Sequence, residues 1–128
     1  MVKVLDLDHF VLTVASIEDT VAFYQEVLGL RPVTFQAGRC ALEFGSKKIN
    51  LHKAGEEFQP HAKRPEPGSA DLCFVVEDVT SALAHVQSKG IEVFEGPVAR
   101  TGATGPITSI YFRDPDGNLI ELAEYTDE

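Results

Sequence analysis

The sequence predicts an α+β fold made of two copies of one βαβββ unit, which form a curved mixed sheet around a cavity with the helices on its outer face. Two observations predict this fold. Segments typical of strands and helices occur in the same order in each half of the 128 residues, and equivalent positions keep the same spacing. His9 precedes Ile17 by eight residues, and Asp71 precedes Val79 by the same eight. This order of elements favours α+β over a doubly wound parallel sheet.

The first unit opens with a strand at Asp8–Val14, where polar and apolar residues alternate into a β-branched run. A helix is predicted over Ile17–Leu28 because apolar residues recur there at helical spacing. Ser16 is a suitable N-cap, and Gly29 ends the helix. Three short strands complete the unit, at Pro32–Phe35, Cys40–Phe44 and Lys48–His52.

The second unit follows a polar stretch, Ala54–Ser69, that contains three prolines, has no periodicity and is typical of a loop. A strand is then predicted at Asp71–Val76, and a helix at Val79–Lys89 that ends before Gly90. Three further strands are predicted at Ile91–Phe94, Ile107–Arg113 and Leu119–Tyr125.

Composition and charge exclude several classes of function. The net charge of −9 disfavours nucleic-acid binding, which needs clustered Lys and Arg. No apolar run approaches the roughly 20 residues of a membrane span. The N-terminal residues do not resemble a signal peptide, so a cytoplasmic location is expected. Cys40 and Cys73 lie in apolar, strand-like segments and are interpreted as buried thiols rather than a disulfide.

Side chains alternate between the two faces of a strand, so each predicted strand has an apolar and a polar face. If every apolar face packs under the helices, the polar faces share one concave surface. A polar cluster of this kind needs a ligand, a metal or water to satisfy its hydrogen bonds. The predicted cluster consists of His9, Asn50, His52, Asp71, Tyr111, Arg113 and Glu121.

Three segments in order along the chain resemble the vicinal oxygen chelate superfamily, which includes glyoxalases, bleomycin-resistance proteins and extradiol dioxygenases. They are Leu7–Val14, with His at its third position, the helix end Ala22–Leu30, and the hairpin Phe112–Leu122. Ile49–His52 and Gly96–Ile107 are similar to the glyoxalase domain-containing protein 5-like and virulence-associated glyoxalase-like subgroup. The resemblance implies one domain over residues 1–128, with modules 5–55 and 69–126 joined by loop 56–68.

The resemblance also implies a set of metal ligands, since metal-binding members take two from each unit, on its opening and closing strands. His9 and Glu121 match this pattern directly. Asp71 falls where His or Glu is usual, and Asn50 falls where a carboxylate or Gln is common, with His52 two residues further on the same face. Such ligands suit a divalent ion, Zn, Ni, Mn, Fe or Co, although some members bind no metal.

The functions implied by the resemblance fall into different classes. The first is a metal-dependent lyase or isomerase of the lactoylglutathione lyase type, acting through a metal-stabilised enolate or oxyanion on a small oxygen-bearing substrate. Glu121 would then shuttle a proton, while Tyr111 and Arg113 orient the substrate. The second is a non-catalytic small-molecule binder of the bleomycin-resistance type. An extradiol dioxygenase and a sensor domain have less support, and the resemblance further implies a homodimer.

Overall fold

The structure is a computed structural model that describes residues 1–126, so the predicted domain end at Glu128 lies outside the described residues. The chain divides into two compact units, one ending at Pro67 and the other beginning at Gly68. Each unit contains a strand, a helix and three more strands, in that order. The predicted α+β class and the repeated βαβββ order are therefore confirmed.

The first unit forms a mixed four-stranded sheet in the order β1-β4-β3-β2. The opening strand β1 runs parallel to the closing strand β4, and the other neighbours are antiparallel. Its elements are β1 (His9–Val14), α1 (Ile17–Leu28), β2 (Arg31–Phe35), β3 (Arg39–Phe44) and β4 (Lys47–Lys53).

Helix α1 begins and ends as the sequence predicts. The Ser16 hydroxyl accepts a hydrogen bond from the Asp19 backbone N–H at 3.1 Å, which satisfies a free donor of the first turn. Gly29 ends the helix in the left-handed conformation, with φ +70°. Tyr24 and Val27 are buried on the sheet side of the helix, and Ile49 of β4 is fully buried. The core of this unit therefore lies between α1 and one face of its sheet.

The second unit repeats this plan, with sheet order β5-β8-β7-β6 and β5 parallel to β8. Asp78 caps its helix by accepting from the Thr80 and Ser81 backbone N–H groups. No helix in residues 1–126 has the length and apolar character to cross a membrane. The elements are β5 (Asp71–Val75), α2 (Val79–Ser88), β6 (Glu95–Thr101), β7 (Pro106–Arg113) and β8 (Leu119–Tyr125).

The predicted strand at Ile91–Phe94 is wrong. That segment is the connection that leaves α2, and the strand runs instead from Glu95 to Thr101. The alternating apolar residues near Ile91 resemble a strand, whereas the true strand contains Gly96 and Pro97, which ordinarily disfavour one. A bulge between Glu95 and Val98 accommodates these residues at the sheet edge.

The turn between β7 and β8 is a closed hydrogen-bond network. Asp114 Oδ1 accepts from the Asp116 and Asn118 backbone N–H groups, and Asp114 Oδ2 accepts from Asn118 Nδ2 at 2.8 Å. Asn118 Oδ1 in turn accepts from the Ala70 N–H just before β5. The network fixes the start of β8 against β5 and so sets the position of Glu121.

Candidate functional site

The strand registers give each unit the same diagonal pair of candidate ligands. In the first unit His9 lies opposite Lys48, and Asn50, two residues along β4, lies opposite Val11. In the second unit Asp71 lies opposite Leu119, and Glu121, two residues along β8, lies opposite Cys73. Cross-strand partners share a sheet face, so His9 and Asn50 are diagonal neighbours on one face, as are Asp71 and Glu121.

His9 stands at the start of β1 with its side chain about half exposed. Its Nδ1 lies 2.7 Å from Asp8 Oδ1. In metalloproteins a ligating histidine usually donates its other ring N–H to a carboxylate, which fixes the tautomer and the ring orientation. Asp8 thus favours the tautomer that leaves His9 Nε2 available as a ligand.

Asn50 and His52 lie two residues apart on the same face of β4. Asn50 Oδ1 and His52 Nδ1 are buried, and neither has a hydrogen-bond partner among residues 1–126. Burial lowers the pKa of His52, and the Arg39 guanidinium lowers it further, so the imidazole is neutral near pH 7. Two buried polar atoms without partners mark this face as a place where a bound group or water is needed.

Glu121 lies between two protonated side chains, with Cys73 on one neighbouring strand and Tyr111 on the other. Both cysteines are free thiols, but Cys73 is exposed and Cys40 only half-buried, so the prediction of buried thiols is wrong. Partial desolvation on the sheet face still raises the pKa of the Cys73 thiol to about 11, with a further contribution from the Glu121 carboxylate. Burial also raises the pKa of Tyr111, again with a contribution from Glu121. Both groups therefore stay protonated at neutral pH and are hydrogen-bond donors beside the carboxylate.

Two arginines lie on the strands around Tyr111, and they have different surroundings. Arg100 donates through Nε to the Tyr111 hydroxyl at 3.2 Å and through Nη2 to Glu95 at 2.7 Å. Arg113 is exposed, with its guanidinium 5.1 Å from the centre of the Phe94 ring. The sequence-based candidate, Arg113, therefore lies on the expected strand, but Arg100 makes the contact with Tyr111.

A cavity of about 350 Å³ opens on the same face of the second sheet. Among the described residues that line this cavity, Glu121 is the only acidic residue, and none is Lys or Arg. Two backbone donors of the neighbouring Gly- and Thr-rich turn already have acceptors within the second unit. Gly102 N–H donates to the Gly105 carbonyl, and Thr104 N–H donates to the Tyr125 hydroxyl. The lining residues are Cys73, Val75, Thr101, Gly102, Ala103, Ile107, Glu121, Ala123 and Tyr125.

Comparison with known proteins identifies the family. The family model of the Glyoxalase/Bleomycin resistance protein/Dioxygenase superfamily matches residues 6–122. The chain belongs to this superfamily. It is 57% identical to the glyoxalase domain-containing protein RDO1 of Mycosarcoma maydis, over 98% of this chain and 71% of that protein. It is 56% identical to the virulence protein STM3117 of Salmonella typhimurium, over 93% of this chain and 83% of that protein.

Solved structures support the same fold for this superfamily member. An integron cassette protein from the mobile metagenome of V. cholerae has a TM-score of 0.96 at 56% identity, with 98% of this chain and 99% of that chain covered. Distant relatives include enzymes: the lactoylglutathione lyase of Schizosaccharomyces pombe is 24% identical over 94% of this chain and 48% of that protein. The fosfomycin resistance protein FosX of Listeria monocytogenes, solved with Mn(II), shares the fold at 21% identity, with a TM-score of 0.69 over 98% of this chain and 94% of that chain.

The candidate metal donors occur in pairs, with one pair in each unit. Within residues 1–126 no group of three or more His, Cys, Asp or Glu side chains is close enough to hold an ion. The first unit supplies His9 and Asn50, and the second supplies Asp71 and Glu121. The mixture of imidazole, amide and carboxylate donors is one that a divalent ion accepts, and Asn50 Oδ1 is buried without a hydrogen-bond partner among residues 1–126. His52 fits such a site less well, since Arg39 lies near it.

Proposed function

We propose that this chain is a metal-dependent lyase or isomerase of the glyoxalase type, which acts on a small oxygen-bearing substrate. The observation that carries this proposal is the repeated register, which gives His9 with Asn50 and Asp71 with Glu121 the same diagonal arrangement in each unit. Superfamily membership and distant lactoylglutathione lyase and fosfomycin-resistance relatives support it. The homodimer and the cytoplasmic location expected from the sequence remain predictions.

The proposed ligands are His9 and Glu121, the two residues that match the superfamily pattern directly, with Asn50 and Asp71 as the candidates at the other two positions of that pattern. A bound divalent ion supplies Lewis-acid stabilisation of negative charge on a substrate oxygen. Asp8 holds the His9 ring in the tautomer that this role requires. We assign His52 no part in binding the ion, because the Arg39 cation near it opposes a second positive charge.

Glu121 is the residue proposed to move a proton beside the substrate carbonyl. The Cys73 thiol and the Tyr111 hydroxyl flank it, and their raised pKa values keep them protonated. They therefore orient the carboxylate as donors and do not compete with it for the proton. Arg100 holds Tyr111 through its hydroxyl, which leaves Arg113 as the residue proposed to orient the substrate.

The second candidate function is non-catalytic binding of a small molecule without metal. The cavity beside Glu121 favours it, because about 350 Å³ lies within the range of small-molecule sites and apolar side chains supply much of its lining. The two functions differ in one requirement. An enzyme of the proposed type loses its activity when the ion is removed, whereas a binding protein keeps its affinity after chelation.

Metal titration of the chelated protein tests the proposal. The wild type should bind about one Mn²⁺ per chain, since this chemistry needs a single open-sided ion. His9→Ala and Glu121→Gln should each weaken binding by at least about tenfold, in proportion to the loss of a direct ligand. The matched control is His61→Ala, because His61 is exposed and its ring nitrogens hydrogen-bond locally, to Gln59 and to the Ala62 carbonyl. Failure of the wild type to bind Mn²⁺, Ni²⁺ or Zn²⁺ would overturn the proposal.

A further inference from the structure

The cavity of the second unit changes in polarity along the strands that line it. Three cross-strand pairs on one sheet face follow one another, each two residues further along β8, which is about 7 Å per step. The first pair is acidic and polar, the second is apolar, and the third joins an apolar side chain to a tyrosine. In that order the pairs are Cys73 with Glu121, Val75 with Ala123, and Ile107 with Tyr125.

The apolar end of the cavity is packed at the β6–β7 turn and open to solvent at Val75. An added Cβ on Gly102 would lie 2.6 Å from the Tyr125 hydroxyl oxygen and 2.9 Å from Ile107 Cγ2, so the turn packs directly against these two side chains. Ile107 and Ala123 are buried, whereas Val75 is 66% exposed. Val75 therefore presents to the cavity an apolar surface that a ligand can cover.

No cation offsets the Glu121 carboxylate among the described residues that line the cavity. The Cys73 thiol beside it stays uncharged at neutral pH, because partial desolvation and Glu121 raise its pKa to about 11. A negatively charged ligand group that enters the apolar end loses water without gaining a cationic partner, which is costly. The net charge of −9 also disfavours an anion. The apolar end therefore suits an uncharged group.

We propose that this cavity selects a substrate whose oxygen-bearing end lies beside Glu121 and whose other end is an uncharged apolar arm directed toward Ile107. This orientation rests on the proposed function, which places the reacting part of the substrate at Glu121. The volume of about 350 Å³ is at the lower end of the range for small-molecule sites, so the arm is about the size of one aromatic ring. Such an arm covers Val75 and removes its apolar surface from water, which stabilises the complex.

Three ketones that share the same carbonyl end test the arm. Acetophenone has an uncharged ring, 4-acetylbenzamide extends the ring with a neutral amide, and 4-acetylbenzoate extends it with a carboxylate of the same shape. Binding is measured by titration calorimetry in chelated protein. The benzoate should bind the wild type at least about tenfold more weakly than the benzamide, because its carboxylate has no cationic partner. Acetophenone should bind and shift the methyl resonances of Ile107, and leave those of Ile110, on the opposite face of β7, unchanged.

Val75→Lys supplies the cation that the cavity lacks, at a position exposed enough to accept a lysine. This variant should bind 4-acetylbenzoate at least about tenfold more tightly than the wild type does, while 4-acetylbenzamide should gain little. The matched control is Val11→Lys, because Val11 is another exposed strand valine and is not among the residues that line the cavity. Both variants change the net charge equally, so only a lysine inside the cavity should produce the gain.

Four results would overturn the inference. The first is no binding of acetophenone, or a shift at Ile110 in place of Ile107. The second is equal binding of the benzoate and the benzamide to the wild type. The third is an equal gain in Val11→Lys, which would indicate a general effect of charge. The fourth is a shift of the Val75 methyl resonances with protein concentration alone, which would show that a second copy of the chain covers the cavity.

The same measurements separate this inference from the proposed function, because the ketones are titrated without a metal. Failure of the wild type to bind Mn²⁺, with the expected ketone results intact, would overturn the proposed function and support the selection of an uncharged arm. Binding of Mn²⁺ together with equal affinity for the benzoate and the benzamide would overturn the inference alone.

Discussion

Cys73 and Glu121 lie directly opposite each other on the parallel strands β5 and β8. Partial desolvation and the Glu121 carboxylate together raise the pKa of the Cys73 thiol to about 11. The thiol thus stays protonated and is a donor to the carboxylate, while Tyr111 flanks Glu121 from the opposite strand. Glu121 therefore has a protonated side chain next to it on each neighbouring strand, Cys73 on β5 and Tyr111 on β7.

The first prediction concerns the reactivity of Cys73. In chelated protein carrying Cys40→Ser, iodoacetamide should react slowly at pH 7.5, with a rate that rises toward a midpoint near 11. Glu121→Gln should lower this midpoint, because a neutral amide does not oppose the thiolate. The partial desolvation of the thiol remains in that variant, so the midpoint should stay above the ordinary thiol value of 9. A midpoint that does not change in Glu121→Gln would contradict the proposed electrostatic contact.

The second prediction concerns the pH dependence of stability through His52. Its folded-state pKa is lowered from the ordinary 6.5, so below pH 6.5 the unfolded chain takes up a proton that the folded chain refuses. The contribution of His52 to the free energy of unfolding should therefore be fully present above pH 7. It should be lost as the pH decreases, by up to about 1.4 kcal/mol per pH unit. In urea unfolding, His52→Gln should reduce this slope, and the control His85→Gln, at an exposed position of α2, should leave it unchanged. Equal slopes in all three proteins would contradict the prediction.

The third prediction concerns the turn that positions Glu121. Asn118 is 1% exposed and bonds both Asp114 and the Ala70 N–H. Asn118→Ala removes the hydrogen bonds to Asp114 Oδ2 and to the Ala70 N–H and should destabilise the protein by about 2–4 kcal/mol. Pro115→Ala is the control, because Pro115 is an exposed residue of the same turn. Denaturant unfolding measures both, and equal stabilities would show that the network is unimportant.

The fourth prediction concerns Gly96 in the bulged strand β6. Its φ is +107°, and an added Cβ would lie 2.3 Å from the Ser109 carbonyl oxygen and 2.8 Å from the Ile110 Cα. Gly96→Ala should therefore cost more than 3 kcal/mol or prevent folding, since backbone atoms must move. Gly45→Ala is the control, with a positive φ but open space around the position, and should cost about 1 kcal/mol. Thermal unfolding of both variants makes the comparison.

The sequence predicts most of this fold because its local signals agree with one another. Ser16 and Gly29 mark both ends of α1, and the alternation around Ile49 and Ile120 assigns the buried face of each closing strand. The sequence does not predict β6, because Gly96 and Pro97 disfavour a strand locally and the pairing of Glu95 with Tyr111 that forms it is a long-range contact. Tertiary pairing of this kind has no local signature.

The candidate site is predictable only in part. Period-two alternation places Asn50 with His52, and Tyr111 with Arg113, on shared strand faces, and the registers agree. Alternation does not predict the contacts of Arg39 and Arg100, because each reaches a residue on another segment, Phe58 in one case and Tyr111 in the other. Alternation gives the face of a side chain but not the partner that it reaches across the sheet.

The proposed ligand set is tested most directly by electron spin echo measurements on the Mn²⁺-loaded protein, which detect imidazole nitrogens coupled to the ion. We expect coupling to one imidazole nitrogen, which is lost in His9→Ala and retained in His61→Ala. No nitrogen coupling in the wild type, or coupling that persists in His9→Ala, would contradict it, because His9 would then not be the histidine that holds the ion.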